Sequence, residues 1–206
     1  MTTFVLIRHA SHDLLGHTIV GRASGVGLSA QGLLEAEALV ERFAPGAIDA
    51  LYSSPLERAR ATAAAMAARL GLNVQIAEEL NEIDYGVWTN RTLADLDELE
   101  EWRRFNLFRS GSRIPGGETM LEVQLRMLEL IDRLCAEQPR HAIALVSHGD
   151  VIKATLAHFL GAPLDLFQRI AIDPASISVV RLQRFGPEVL LINGGAEPRL
   201  LRGAGT

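Results

Sequence analysis

The chain has a single cysteine, Cys135, in 206 residues. Without a second thiol no internal disulfide can form, which fits a reducing cytoplasm. Residues 1–7 lack a basic flank and a long apolar region, so no secretory leader is expected. No run approaches the ~18 apolar residues that a membrane span needs. An excess of positive charge is missing too. The formal net charge of −5 disfavours non-specific nucleic-acid binding, though it leaves room for a local basic pocket. No Pro/Gly/Ser-rich linker, charge block or internal repeat divides the chain, so one domain over residues 1–206 is expected. What is abundant is apolar: 48% of the residues are hydrophobic, enough to build a core and too many for disorder.

Two short apolar runs stand out because each ends on a histidine. Residues 4–9 read Phe-Val-Leu-Ile-Arg-His, and residues 142–149 end on Ser147-His148-Gly149. Both runs predict buried strands. Helix one is expected over 29–43, capped by Ser29, with Leu33, Leu39, Val40 and Phe43 inward. Strand two is expected over 48–52. Helix two follows, with Ser54 as cap, Pro55 in the first turn, Glu57 completing a capping box, and Gly71 as its stop. Strand three is placed at 73–76. The excursion 78–117 shows one expected helix near 94–108, then Pro115-Gly116-Gly117 breaks the chain. A long helix over 118–137 should face inward through Leu121, Leu125, Leu128, Ile131 and Leu134, with Cys135 on its apolar side. Strand four at 142–146, a helix at 150–160 and strands near 177–183 and 188–192 complete the expected order. A frayed tail is expected over 194–206.

Strands alternating with helices predict an α/β three-layer sandwich, with a mostly parallel, six-stranded sheet and helices on both faces. Ligands in such folds bind beyond the carboxyl ends of the strands. That rule gathers Arg8, His9, Ser53, Ser54 and His148, and Arg58 one turn into helix two leans back toward the same rim. Histidine can attack phosphorus or hold its oxygens, and arginine can fork onto them.

Four separated segments then form a pattern: Leu-Ile-Arg-His, Ser53-Ser54-Pro55-Leu56-Glu57-Arg58-Ala59, Asn81-Glu82-Ile83-Asp84-Tyr85-Gly86 and Val146-Ser147-His148-Gly149. Gly21-Arg22, Leu28, Gly32 and Gly116-Gly117-Glu118 are lesser landmarks. Over residues 3–185 the chain resembles the histidine phosphatase superfamily, which includes cofactor-dependent phosphoglycerate mutase and its phosphatase relatives. The resemblance implies a phosphoglycerate mutase-like fold, His9 as a nucleophile that becomes phosphorylated, and Arg8, Arg58 and His148 around the phosphoryl oxygens. It implies Glu82 as proton donor, with no metal and no cofactor. Arg22, Ser11, His12, Asp13 and Gly149 are the residues expected against substrate, a small-molecule phosphomonoester. The chemistry is consistent with this, since a neutral imidazole with an ordinary pKa of ~6.5 keeps a lone pair, and flanking cations disfavour its protonation.

Each residue also has a plainer reading. A strand-end histidine is often only structural, Arg58 can pair with Glu57 in solvent, and Glu78, Glu79 and Asp84 compete with Glu82. Capping explains Ser54, turn formation explains Ser53, and Glu118 can act on a helix N-terminus. His141 and His158 receive no role.

The chain departs from the family pattern at Ala10, where glycine is usual, at Ser11-His12-Asp13, and at Thr89-Asn90 after Trp88. These departures bear on substrate recognition. Within the family, a mutase would carry a longer insertion after the Trp region. Here Trp102, Phe105, Leu107 and Phe108 accompany Arg103 and Arg104 on an aromatic helix, either packed on the domain or serving as a lid. An apolar lid favours a phosphatase of an organic ester over a mutase. Three other classes compete: a metal hydrolase using His9, His12, Asp13 and His148; a serine hydrolase using Ser147, His148 and Asp150; and a non-catalytic phosphate-binding protein. The spacing of the first and the adjacency of the second count against both. Natural substrate and oligomeric state stay open.

Overall fold

A computed structural model describes residues 1–195. The chain opens with β1 (Thr2–Arg8), β2 (Thr18–Ile19), α1 (Ala30–Val40), β3 (Ala50–Ser53), α2 (Glu57–Leu70) and β4 (Val74–Ile76). Two short 3-10 turns lead to β5 (Arg91–Thr92), α3 (Leu93–Asp97) and α4 (Glu100–Leu107). Then come α5 (Met120–Glu137), β6 (Ala142–Ser147), α6 (Gly149–Leu160), β7 (Ile177–Gln183) and β8 (Gly186–Gly194). Six strands form the central sheet in the order β4-β3-β6-β1-β7-β8. The first four are parallel, and β7 and β8 close one edge antiparallel.

Alternation along β1 explains the three layers. Phe4 and Leu6 join a core with Met127, Leu130 and Leu134 of α5 and Ile152 and Leu156 of α6. Val5 and Ile7 point the other way, to Leu39 of α1 and Ala63 and Met66 of α2. Successive strand residues face opposite sides, so a continuous apolar run is what a strand covered on both faces requires. Each such fully buried Leu, Ile or Phe contributes roughly 1.5–3 kcal/mol. Among the described residues, no helix is long and apolar enough to cross a membrane.

Several local expectations change. Ser54 does not cap α2: Leu56 is the cap residue without a side-chain bond, and Glu57 instead accepts from the Gly25 backbone N–H at 2.9 Å. Gly71 does close that helix, in the left-handed conformation. Leu33 of α1 is exposed, and the helix is buried through Gly32, Ala36, Leu39 and Val40. On α5, Leu121 and Leu125 are exposed while Val123 and Met127 go inward. That helix is apolar around much of its circumference, so a stripe of leucines alone picks a face rotated by part of a turn. A capping box of Thr119 and Glu122 starts it. The single helix expected near 94–108 is two, α3 and α4. Gly194, expected to fray, ends β8, where it pairs with Ile177 and its carbonyl accepts from Arg42; residues 196–206 of the expected tail lie outside the described residues.

Part of the aromatic stretch of the excursion packs into the core. Trp102 and Phe105 stack on Trp88 at ring distances of 5.3 and 5.4 Å and belong to the core, whereas Leu107 and Phe108 are exposed. One backbone approach is unusually tight. A Cβ on Gly32 would lie 1.9 Å from the Ser11 carbonyl oxygen, so only glycine lets α1 lie against the loop that leaves His9. Gly32→Ala is expected to lower stability by about 1–3 kcal/mol through this overlap, read as a drop in urea midpoint with unchanged slope. An unaltered midpoint would show that the loop yields freely.

Candidate active site

β1 and β6 lie side by side in register, Thr3 against Ala142 through Arg8 against Ser147. The next residue of each strand is therefore a histidine leaving the sheet at the same level. The rings of His9 and His148 are 5.0 Å apart, and His12 adds a third ring 5.6 Å from His9. Arg58 arrives from the first turn of α2. Its neighbour Thr62 accepts from the Ala10 backbone N–H at 3.0 Å and donates to the Arg58 carbonyl at 2.8 Å, locking α2 to the end of β1.

Hydrogen bonds define the imidazole tautomers. The Ala10 carbonyl lies 2.8 Å from Nδ1 of His9 and can only accept, so Nδ1 carries the proton and Nε2 keeps its lone pair. Nη2 of Arg58 can only donate, so Nδ1 of His148, 3.4 Å away, accepts; Nε2–H of His148 then donates to the Ser54 hydroxyl at 2.8 Å. Burial, reinforced by Arg58 and Arg8, holds the pKa of His9 well below the ordinary value. Burial, with His9 and Arg58, does the same to His148. His12 is depressed to about 4 by burial and the same two arginines.

The guanidinium groups carry the clearest chemical signal. Arg58 is fully buried; its Nη2 donates to the Gly21 carbonyl at 2.8 Å, but its Nε and Nη1 find no hydrogen-bond partner among the described residues. Nε of Arg8 is buried without a partner too, while its Nη1 donates to the Ile172 carbonyl at 2.7 Å. Buried donors on a charged group left unpaired cost several kcal/mol by order of magnitude. An oxyanion would satisfy them. Gly149 sits beside Arg8, where a Cβ would stand 3.2 Å from Nε, so its lack of a side chain keeps that donor open.

Glu82 approaches from the 78–117 excursion. Its Oε2 lies 3.6 Å from Nδ1 of His148, and Oε1 accepts from the Ile83 backbone N–H at 2.9 Å. Burial raises its pKa against the opposing pull of Arg58, so the acid form is favoured beyond the usual carboxylate range. Its backbone is clamped: Arg22 and Arg126 donate to the Glu82 carbonyl at 2.8 and 3.2 Å. Glu118 ties both arginines at 2.9 and 3.2 Å and accepts from the Asp84 N–H at 2.9 Å.

These groups line a cleft of about 230 Å³ that includes Arg8, His9, His12, Arg58, Glu82 and Gly149. The sequence profile of the histidine phosphatase superfamily (branch 1) matches residues 4–194. The chain belongs to this superfamily. Phosphoserine phosphatase 1 of Hydrogenobacter thermophilus is 28% identical over 198 residues, covering 94% of this chain and 92% of that one. A probable phosphoglycerate mutase of Escherichia fergusonii is 33% identical over 187 residues, covering 89% and 86%. The solved structure of a phosphoserine phosphatase mutant from Entamoeba histolytica, in complex with phosphoserine, superposes with a TM-score of 0.85 at 25% identity, covering 94% and 97%.

In this member of the superfamily, not every expected residue reaches the cleft. Ser11 is tied away by Glu35, which accepts from its N–H at 2.8 Å and its hydroxyl at 3.0 Å. Asp13 is exposed and outside the cleft lining, and Arg22 serves the Glu82 clamp. Glu118 belongs to that clamp and not to a helix cap. Ser147 donates to the Leu80 carbonyl at 2.7 Å, which leaves it no nucleophilic role. Among the described residues, no group of three or more His, Cys, Asp or Glu is arranged to hold a metal ion.

Sequence reasoning missed Ser54 as the partner of His148, because capping already accounted for it. It also missed Tyr85, Asp150 and Lys153 on the cleft wall. The last two follow His148 within the opening turns of α6, so the strand-end rule reaches them if extended one turn. Arg126 gives no sequence signal, since neither its spacing of eight from Glu118 nor its bonds to the Glu79 and Glu82 carbonyls follow the side-chain pairing of a helix or strand.

Three buried neutral histidines make stability depend on pH with a definite sign. Their folded pKa values are depressed, so the stability they allow is present above the unfolded value of about 6.5 and is lost as pH falls below it. Each ring contributes a loss of about 1.4 kcal/mol per pH unit in that window. Protonation of Glu82, whose folded pKa is raised, offsets part of it. Urea melts are expected to show falling stability from pH 7.5 to 5.5, with a shallower fall in His12→Asn. A flat profile would mean that the rings are not held neutral.

Proposed function

We propose that this protein is a phosphomonoesterase that hydrolyses a small organic phosphate through a phosphohistidine at His9. The observation that carries the reading is the set of buried, uncommitted donors on Arg8 and Arg58 lining one cleft with an imidazole whose Nε2 lone pair is free. The phosphatase names of relatives covering most of the chain support it.

In the proposed first step, Nε2 of His9 attacks phosphorus while the bond from phosphorus to the ester oxygen breaks. The Ala10 carbonyl keeps the Nδ1 proton and so stabilises the positive charge that develops on the ring. Arg8 and Arg58 share the negative charge of the phosphoryl oxygens, and as the dianion binds, Nδ1 of His148 takes up a proton from solvent and becomes a further donor. Glu82 gives its proton to the departing alkoxide. In the second step water attacks phosphorus, Glu82 takes the water proton, and the nitrogen–phosphorus bond breaks to release inorganic phosphate. Ser54 fixes the orientation of His148 throughout. The lone half-buried Cys135 is compatible with a reducing cytoplasm.

A phosphomutase is the second reading, motivated by the probable phosphoglycerate mutase that is 33% identical. It differs in the fate of the phosphoryl group, which would return to the substrate instead of passing to water. A non-catalytic phosphate-binding protein would form no covalent intermediate.

The test is a phosphomonoester panel combined with trapping of ³²P on the denatured protein. Wild type should release phosphate and trap acid-labile, base-stable label, and His9→Ala should lose both. Isomerised ester without free phosphate would select the mutase, and binding without label the non-catalytic protein. Glu82→Gln should slow alkyl esters by about 10²-fold or more, and aryl esters with good leaving groups far less. Equal losses would remove Glu82 from the proton-donor role.

The pH profile follows from the same two groups. Activity should persist on the acid side to well below pH 6.5, because His9 resists protonation. It should decline on the alkaline side as Glu82, raised above its ordinary 4.5, gives up its proton. Loss of that alkaline limb in Glu82→Gln is the diagnostic; its persistence would point to another acid.

A further inference from the structure

The cleft contains a second charged group that the phosphoryl chemistry leaves unused. Asp150 and Lys153, one turn apart on α6, both line it. Asp150 is heavily committed: Arg109 donates to Oδ2 at 3.3 Å, Tyr85 to the same oxygen at 3.4 Å, and Lys153 to Oδ1 at 3.2 Å. Arg109 is only 2% exposed, sits 4.2 and 4.9 Å from the ring centres of Phe105 and Phe167, and is not part of the cleft wall. It therefore neutralises Asp150 from behind. The other hydrogen-bond partner of Lys153 among the described residues is the neutral Gln168 at 2.8 Å, and its ammonium also lies 5.7 Å from the ring centre of Phe167. Two cations and one anion leave a net charge of +1, and the member of the trio that brings it to the cleft is the lysine ammonium.

We propose that Lys153 binds a carboxylate on the alcohol part of the substrate, so that the preferred esters are those of hydroxy acids or hydroxy amino acids. This rests on the phosphomonoesterase reading and adds a substrate class to it. The charge count favours a monoanion over a second phosphate dianion. An ammonium has three N–H donors; Asp150 and Gln168 take two, which leaves one for a ligand. Leu15, Ile19 and Leu93 line the same cleft, and by limiting water they strengthen an ion pair formed there. A cleft of about 230 Å³ suits a short carbon skeleton between the two charged ends. The plainer reading, a rim salt bridge that only fastens α6, predicts no difference between charged and neutral esters.

The experiment compares O-phospho-L-serine and 3-phosphoglycerate with O-phosphoethanolamine and glycerol 3-phosphate, which lack the carboxylate. Wild type is expected to favour the first pair by tenfold or more in kcat/KM. In Lys153→Met the KM for the carboxylate esters should rise about tenfold with kcat changed far less, so that the preference collapses. Lys153→Arg should restore most of it. No preference in wild type, or equal loss for all four esters in Lys153→Met, would overturn the assignment.

Calorimetry separates this from the parent reading. On His9→Ala, phosphoserine should bind at least tenfold more tightly than phosphoethanolamine, and His9→Ala/Lys153→Met should bind both alike. If wild type releases phosphate from no ester, the phosphatase reading fails, yet this binding ratio still decides the role of Lys153. A ratio near one would reject it.

Discussion

The site depends on one constraint above all: the in-register parallel pairing of β1 with β6. It aligns Arg8 with Ser147, so that the next residues, His9 and His148, leave the sheet at one level with their rings 5.0 Å apart. No side-chain interaction sets that spacing. It is inherited from the distance between hydrogen-bonded strands, which backbone geometry holds near 4.8 Å. Slippage by one residue would turn the histidines to opposite faces of the sheet and bury their charged neighbours in the two cores. The apolar alternation that makes the sheet stable is thus also what prevents the site from misassembling.

Around that pair, positively charged and neutral groups are kept apart by different means. The arginines stay charged in spite of burial, because a guanidinium does not deprotonate under protein conditions. The imidazoles give way instead and stay neutral. Burial pushes the pKa of Glu82 up, against the pull of Arg58. The site thus combines two cations with free donors, neutral imidazoles and a carboxyl group whose acid form burial favours. The clamp of Arg22, Arg126 and Glu118 holds the acid by its backbone, so its position does not rely on the ligand.

The fold was largely legible in the sequence, since continuous apolar runs between helical patterns leave few topologies. The failures have physical causes. The inward face of α5 was misread because its leucines outnumber the valine and methionines that pack. Ser54 was read as a cap because local hydrogen-bonding chemistry offers capping and long-range pairing to the same hydroxyl. Of the site, the residues on strand ends were readable, because a topological rule places them. Arg109 and Arg126 were not, as Arg109 reaches Asp150 across 41 residues and Arg126 pairs with Glu118 at a spacing of eight that helical side-chain pairing does not use. Ser11 and Asp13 neighbour His12 in sequence, but only His12 faces the cleft, and nothing local distinguishes the three.

The smallest sheet in the molecule has a consequence of its own. Thr18–Ile19 pairs with Arg91–Thr92, and flanking backbone bonds join Asn90 to Ile19 and Leu93 to His17 at 2.7 and 2.9 Å. This tie consists of main-chain groups, although Asn90 holds a φ of 65° that favours asparagine or glycine at that point. Leu15, Ile19 and Leu93 line the cleft beside it, and Ile19 and Leu93 also pack against the core. The lining can therefore change among descendants of such a chain through apolar residues of similar volume, with the main-chain tie left in place.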